Sequence, residues 1–174
     1  MNPGLKCCCI VVCTMLLSSC SRKSDSVLYK EGSEAESQKN FTVAADRFEE
    51  VVDRFPATAY AESSLTRLSV IYSSEQYDAR KALSTYQRYY ILFPTSKQAP
   101  SMLFLVGYMY NNELHNLDSA KLTYELFLNK YPNDTLAQSA RFELANLGKD
   151  LNQAVPQNVT ETPPPQPDMH HEHR

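Results

Sequence analysis

The chain repeats itself with a period of 38 residues, and this periodicity constrains its fold more than any other feature. An aromatic residue precedes a proline at three points, and the prolines, Pro56, Pro94 and Pro132, are 38 residues apart. The other columns that keep this spacing are Ala44, Ala82 and Ala120; Phe48, Tyr86 and Tyr124; Val51, Tyr89 and Phe127; Ala61, Ala99 and Ala137; and Leu68, Val106 and Leu144. A fixed period between about 20 and 50 residues is typical of solenoid proteins, in which each repeat packs on the next.

The spacing inside each repeat is helical. Between Phe41 and Phe55 the apolar positions recur mostly at intervals of three and four residues, which places them on one face of an α-helix. Each proline ends such a helix because the residue before a proline is pushed out of helical geometry. Thr58, Ser96 and Asp134 follow two residues after the prolines, and their side chains are suited to cap an incoming helix. We predict seven helices, at about residues 25–39, 41–54, 59–74, 78–92, 97–112, 117–130 and 135–150.

At these residues the pattern resembles the tetratricopeptide repeat, whose first helix carries a small residue and whose second helix carries an alanine, an aromatic residue and a proline. Gly32 and Gly107 occupy the small position in the first and third repeats, whereas Ser69 takes it in the middle repeat. Thirteen residues, where the family has twelve, separate Gly107 from Ala120. The resemblance implies an all-α, tetratricopeptide-like helical-pair solenoid of three repeats plus a closing helix, spanning residues 25–150.

The amino terminus has the features of an export signal. Lys6 is the only charged residue before Arg22, and it is followed by eleven apolar residues at 7–17. This run is too short to span a membrane, which takes about 20 residues, but it suits the hydrophobic region of a signal peptide. Residues 17–20, Leu-Ser-Ser-Cys, resemble the bacterial lipobox, and the resemblance implies cleavage after residue 19 and acylation of the Cys20 sulfur.

The lipobox resemblance makes residues 1–19 a lipoprotein signal peptide and residues 20–24 a lipidated linker. The other four cysteines leave with the signal, so no disulfide pair remains in the mature chain. Ser21 rather than aspartate follows the cysteine, which by analogy with known sorting signals favours the outer membrane. The alternative is an ordinary cleaved signal in which Cys20 is incidental.

The carboxyl terminus, residues 151–174, differs in composition from the repeats. Five of the ten prolines lie between Pro156 and Pro167, and the segment contains no aromatic residue. Such a sequence buries too little apolar area to offset its ordering entropy, so we predict a disordered, Pro-rich tail. Three histidines and Glu172 near its end could hold a divalent cation adventitiously. A structural metal site needs ligands fixed by a fold, so a solvated tail end is favoured and no metal site is predicted.

The motifs of common enzyme classes are missing from the sequence. There is no P-loop, dinucleotide fingerprint, nucleophile elbow or His-Glu-x-x-His sequence, and the chain has four glycines in all. The net charge of −3 argues against a protein that coats nucleic acid. We therefore predict a binding protein rather than an enzyme, with no cofactor and no nucleic-acid partner.

A solenoid of helix pairs presents the first helix of each pair on its concave face. The tetratricopeptide resemblance, carried over by register, implies a peptide-binding groove formed by Tyr29, Glu36, Val70, Tyr108, Asn111, Asn112 and Asn146. Aromatic and amide side chains suit an extended peptide, because amides can pair with its backbone. For Tyr29, burial against neighbouring helices is an equally open alternative.

Two families of the bacterial envelope are similar to this chain. The lipoprotein subunit of the β-barrel assembly machine also places aromatic-Pro repeats shortly after an acylated cysteine. The periplasmic coordinator associated with the Tol–Pal system has repeats that resemble the segment from Pro94 to Gly107. This chain has fewer repeats than the first family and lacks the trimerising coiled coil of the second.

These resemblances imply a lipoprotein that is anchored in the outer membrane through acylated Cys20 and faces the periplasm. Its predicted function is a protein–protein interaction scaffold in outer-membrane or cell-envelope assembly, with partners of the β-barrel assembly or Tol–Pal type. The alternative is a periplasmic or surface binding module for a peptide, glycan or metal ligand. Self-association is a further possibility, because an incompletely capped solenoid can pair with a second copy.

Overall fold

The computed structural model describes residues 23–149, and every regular element in that part of the chain is helical. The helices are α1 Asp25–Ser37, α2 Phe41–Arg54, α3 Ala59–Val70, α4 Ala79–Leu92, α5 Ala99–Tyr108, α6 Leu117–Lys130 and α7 Ala137–Ala145. Helices α3 and α5 each continue into a π-helical turn, Ile71–Glu75 and Met109–Glu113. Consecutive helices pack on one another from α1 to α7. The predicted all-α solenoid of three helix pairs and a closing helix is confirmed.

The repeated columns form the core. Every small, aliphatic or aromatic side chain of these columns is buried, apart from Leu144, which is partly buried. The aromatic residues that precede the three prolines are partly buried as well. Full burial of one large apolar side chain stabilises a fold by about 1.5–3 kcal/mol, so these columns dominate the stability of the solenoid.

The two helices of the outer pairs come very close at a glycine. A Cβ atom built on Gly32 would lie 2.7 Å from Cε1 of Phe48, and one built on Gly107 would lie 2.7 Å from Cε1 of Tyr124. Both rings are fully buried and have no room to move aside. These two positions therefore require glycine for packing.

The turn inside each helix pair is built in the same way in all three pairs. The second helices are capped by Asn40, Asp78 and Asn116, whose side chains each accept a hydrogen bond from the backbone nitrogen three residues on. The preceding residues have positive φ angles and are Lys39, Tyr77 and His115. Both sets repeat with the period of 38, so the turns belong to the same repeat as the core.

The predicted boundaries differ from the structure mainly at α5 and α7. Thr58 caps α3, as predicted. Ser96 and Asp134 are not the capping residues of α5 and α7, contrary to the prediction. Each accepts a hydrogen bond from the backbone nitrogen two residues on and so forms an additional turn. Both helices therefore begin two residues later than predicted, and α7 ends at Ala145 rather than near residue 150.

The π-helical turns explain the irregular spacing within the repeats. Twelve residues separate Gly32 from Ala44, and α1 has no π-helical turn. Thirteen residues separate Ser69 from Ala82, and the same number follows Gly107 in the third repeat. A π-helical turn places one additional residue within a helix. The additional residue in the second and third repeats is thus taken up at the end of each first helix.

The predicted signal peptide, the acylation site Cys20 and the Pro-rich segment 151–174 lie outside the described residues. Among the helices of residues 23–149, none combines the length and the apolar character that crossing a membrane requires.

Candidate protein-binding surface

The first helices of the pairs, α1, α3 and α5, form one surface together with α7, which we call the first-helix face. Polar contacts join its successive members. Nε of Arg67 on α3 lies 2.8 Å from Oε2 of Glu36 on α1. Further along, Nδ2 of Asn111 donates to Oε2 of Glu143 on α7 at 3.3 Å. Between them, Oγ1 of Thr66 on α3 donates to Oε1 of Gln98, the residue before α5, at 3.4 Å. Together these contacts connect the successive helices and make the face a single pre-formed surface.

The predicted groove residues all lie on this face or at the ends of its helices. Val70 and Tyr108 are the last residues of α3 and α5, and their side chains are 48% and 40% exposed. They are therefore available for an apolar contact with a partner. Glu36 and Asn111, by contrast, are engaged in the contacts between helices described above, which makes them supporting residues of the face.

The two remaining amides bond to their own helices. Nδ2 of Asn112 donates to the carbonyl oxygen of Tyr108 at 3.1 Å, and Nδ2 of Asn146 donates to that of Phe142 at 2.9 Å. These bonds use only the amide nitrogens of the two side chains. Each side-chain oxygen can still accept a hydrogen bond from a peptide backbone. Peptide binding in this groove stays a prediction.

Tyr29 packs against neighbouring aromatic side chains. Its ring centroid lies 5.5 Å from that of Phe48 and 5.2 Å from that of Tyr60, and its side chain is partly buried. These distances lie in the range of favourable aromatic pairs. The geometry agrees with the alternative in which Tyr29 is a packing residue at the edge of the first-helix face.

A cleft of about 230 Å³ lies where the middle helix pair meets the third, and four tyrosines line it. We call it the tyrosine cleft; its lining residues are Tyr72, Ser73, Tyr77, Ala79, Tyr86, Leu105, Tyr108, Met109 and Glu113. The repeat pattern does not reveal this cleft, because Tyr77 shares its column with Lys39 and His115 and the tyrosines come from different columns. A count of aromatic residues outside the core columns is the only sequence signal that could have found it.

The tyrosine cleft has a rigid floor. The hydroxyl of Tyr72 donates to Oε1 of Glu49 at 3.1 Å, and Nζ of Lys81 lies 5.1 Å from the centroid of its ring. Burial and the carboxylate of Glu49 raise the pKa of Tyr72 well above its ordinary value. Tyr72 is therefore a neutral hydrogen-bond donor at every physiological pH, and its ring is held in place from both sides.

On the other layer, formed by α2, α4 and α6, ion pairs connect α2 with α4. The guanidinium of Arg88 contacts Oε2 of Glu49 at 2.5 Å and Oδ1 of Asp53 at 2.6 Å. Hydrogen bonds from Arg54 and Arg47 hold the pKa of Glu50 below its ordinary value. Such exposed pairs contribute little stability, about 0–1 kcal/mol each. Within residues 23–149 no group of three or more histidine, cysteine, aspartate or glutamate side chains could hold a metal ion.

The fold defines a helical-repeat protein of the tetratricopeptide type, and comparison with known families identifies its family. Residues 21–155 match the YfiO family, described as an outer membrane lipoprotein. The match covers most of the chain and starts directly after Cys20, so the chain belongs to this family of outer-membrane lipoproteins. The predicted kinship and the predicted outer-membrane localisation are thereby confirmed. No curated protein sequence matches the chain.

Proposed function

We propose that this lipoprotein is a non-catalytic scaffold that holds other envelope proteins at the periplasmic side of the outer membrane. Acylated Cys20 is the membrane anchor, and the first-helix face is the binding surface. The family match supports the anchor and the membrane, since its description is an outer-membrane lipoprotein. The resemblance to the β-barrel assembly and Tol–Pal families supports an envelope protein as the partner.

The observation that carries this proposal is the exposure of Val70 and Tyr108 on an otherwise cross-connected face. Aromatic residues flanked by polar groups are the usual energetic centres of protein interfaces. A surface whose helices are already tied together also loses little entropy when a partner binds. The combination favours recognition of an extended protein segment laid across α3 and α5.

The proposal is tested by mild crosslinking in cells, detergent solubilisation and capture of the full chain, with a Cys20→Ala variant as the control. We expect the acylated chain to capture a β-barrel assembly protein or a Tol–Pal component and the Cys20→Ala chain to lose it. Equal capture by both chains would contradict the role of the anchor. Capture of neither kind of protein would contradict the scaffold function.

A second variant separates the binding face from the anchor. Val70→Asp keeps Cys20 but places a charge on the first-helix face, at a side chain that is 48% exposed. Leu122→Asp is the matched control, because Leu122 is 67% exposed and lies on α6 in the other layer. We expect Val70→Asp to reduce capture about tenfold, since a buried charge at an interface costs more than about 1.4 kcal/mol. Leu122→Asp should capture as well as the unmodified chain.

A further inference from the structure

The tyrosine cleft has two exposed aromatic walls and a buried apolar floor. Tyr77 is 83% exposed, although a ring of this size is usually covered, and Tyr108, the last residue of α5, is 40% exposed and also lines the cleft. Tyr86 and Met109 form part of the floor and are almost fully buried. The cleft therefore combines two exposed tyrosine rings with buried apolar side chains in its lining.

The position of Tyr77 is fixed by the backbone. Tyr77 has a φ angle of 53°, in the turn between the π-helical turn and α4. Its backbone is held there because the next residue, Asp78, donates its amide to the carbonyl oxygen of Tyr72 and caps α4. The first wall of the cleft is therefore presented by a rigid turn, in a conformation that a bulky residue rarely adopts.

Aromatic-lined slots of this kind bind polyproline II segments. Such a segment is extended and already ordered before it binds, so little entropy is lost on docking. Its proline rings pack flat against exposed aromatic rings, and tyrosine adds a hydroxyl that can bond to the peptide carbonyls. The tyrosine cleft supplies these groups in Tyr77 and Tyr108.

The chain itself contains a segment of this chemistry. Residues 163–167 are Pro-Pro-Pro-Gln-Pro, and within them Pro164 and Pro167 have the Pro-x-x-Pro spacing that such slots recognise. The repeat domain contains no run of adjacent prolines. The Pro-rich segment is thus the part of this chain that fits the cleft.

The described part of the chain ends near the tyrosine cleft. Gly148, after α7, packs so closely on Leu117 that a Cβ atom there would lie 2.8 Å from Leu117 Cδ1. Leu117 is the first residue of α6, only four residues after Glu113, which lines the cleft. Four residues span at most about 14 Å, and the Leu117 side chain with its contact to Gly148 adds roughly 7 Å, so the chain leaves the domain within about 21 Å of Glu113.

The connecting segment is long enough. Residues 150–162 lie between the described domain and the first proline of the run. Thirteen residues reach about 40 Å in an extended polyproline conformation, which exceeds the separation given above. A tether of this length also gives an effective concentration in the range of about millimolar, so weak docking suffices.

We propose that residues 163–167 dock in the tyrosine cleft of the same molecule, with Pro164 and Pro167 against the rings of Tyr77 and Tyr108. Because Tyr108 also belongs to the first-helix face, the docked segment and an external partner would compete for its ring. This docking assigns an intramolecular ligand to the cleft and a function to the Pro-rich segment.

Paramagnetic relaxation in the full mature chain tests the proposal. The Cys20→Ala chain beginning at residue 20 contains no other cysteine, so a nitroxide can be attached at Asp168→Cys alone. We expect the amide signals of the residues that line the cleft to lose most of their intensity and to recover when the nitroxide is reduced. Signals of α1, at the far end of the solenoid, should be unaffected.

Three variants of the labelled chain complete the test. Pro164→Ser with Pro167→Ser, and separately Tyr77→Asn, should each restore the cleft signals. Asn tolerates the positive φ angle at this turn, so Tyr77→Asn should fold. Leu122→Asn is the matched control at an exposed apolar side chain outside the cleft, and should leave the loss of intensity unchanged.

Each other outcome overturns the proposal. It is wrong if the cleft signals keep their intensity in the unmodified chain, or if they lose it equally in the proline variant. A mixture of isotope-labelled chain without nitroxide and unlabelled chain with nitroxide detects docking between molecules. Loss of intensity in that mixture as strong as in the singly labelled chain would make a second copy the donor of the segment, and would contradict docking within one molecule.

Discussion

The middle helix pair solves the same packing problem as the outer two pairs in a different way. In the outer pairs a glycine on the first helix lies under a fully buried ring, Gly32 under Phe48 and Gly107 under Tyr124. In the middle pair the corresponding residues are Ser69 and Tyr86, and Tyr86 lines the tyrosine cleft. The outer pairs are closed by an aromatic ring over a glycine, whereas the middle pair opens beside its ring.

The same contrast appears five residues before each proline. The outer repeats have Val51 and Phe127 there, both fully buried among apolar groups. The middle repeat has Tyr89, whose hydroxyl donates to Oε1 of Glu62 at 2.7 Å and lies 2.9 Å from Oγ of Ser96. The middle pair therefore satisfies a buried polar group in a column that is apolar elsewhere.

This difference shows how a repeat protein acquires a specific surface without losing its fold. The turn inside each pair and the cap of each second helix are equivalent in the three pairs, whereas Ser69 and Tyr89 place polar groups at two positions that are apolar or glycine in the outer pairs. Because a solenoid repeat contacts mainly its neighbours, one repeat can change in this way while the others maintain the stack. The cleft beside the middle pair contains two exposed tyrosines, Tyr77 from the turn of that pair and Tyr108 from α5 of the third pair.

Removal of the large rings should have the largest effect on stability and should separate the outer pairs from the middle pair most clearly. We expect Phe48→Ala and Tyr124→Ala each to lower the free energy of unfolding by about 3–5 kcal/mol, because a closed cavity remains. Tyr86→Ala should cost clearly less, because the space it vacates joins the open cleft and fills with water. Urea unfolding of the three variants measures this order. An equal loss in all three would mean that the middle pair is as closed as the outer pairs.

Substitution of the glycines should have a smaller effect of the same kind. Gly32→Ala and Gly107→Ala should each destabilise the chain by about 1–3 kcal/mol through overpacking. This loss is expected although alanine is the better helix former by about 1 kcal/mol.

Ser69→Ala provides the control for the glycine variants. The Ser69 hydroxyl donates only to the carbonyl oxygen of Thr66 in its own helix, so its removal should change stability by less than about 0.5 kcal/mol. The same unfolding experiment compares the three variants. Stabilisation by Gly32→Ala or Gly107→Ala would contradict the close contact with the ring.

The smallest expected effect is a pH dependence specific to the middle pair. The hydroxyls of Ser96 and Tyr89 hold the pKa of Glu62 below its ordinary value of 4.5. A carboxyl with a lowered pKa in the folded state stabilises the fold above its unfolded pKa, and this contribution disappears as the pH falls through the folded pKa. Glu62→Gln should therefore flatten the loss of stability below about pH 4.5.

The melting temperature measured between pH 3 and pH 7 reports this effect. The range includes about pH 4, where ordinary carboxyl groups titrate. Glu125→Gln, at an exposed position on α6, is the control and should leave the slope unchanged. A Glu62→Gln chain with the unmodified slope would mean that the hydrogen bonds of Glu62 contribute no stability that depends on protonation.

The repeat columns could be predicted from the sequence because each has one requirement, burial in a helix pair, repeated three times. The alanines, the rings and the helix order follow from that requirement. The starts of α5 and α7 could not be predicted, because Ser96 and Asp134 have good capping chemistry but form a separate turn directly before each helix. The π-helical turns could not be predicted either, although the thirteen-residue spacing was visible.

The candidate binding surface was less accessible to sequence reasoning than the core. Register placed Val70 and Tyr108 on the first-helix face, but it did not show that Glu36 and Asn111 are engaged between helices. Those contacts depend on long side chains from neighbouring repeats, Arg67 and Glu143, which follow no repeat column. The tyrosine cleft was missed for the same reason, because it combines residues from different columns.

The most direct test of the scaffold function is site-specific photocrosslinking in living cells. A photoreactive residue is placed at Val70 or Asn112 on the first-helix face and, as controls, at Lys121 or Leu122 on α6, all of which are exposed. The account predicts a crosslink to a β-barrel assembly or Tol–Pal protein from both positions of the first-helix face and from neither position on α6. A crosslink to such a protein only from α6, or from no position, would contradict it.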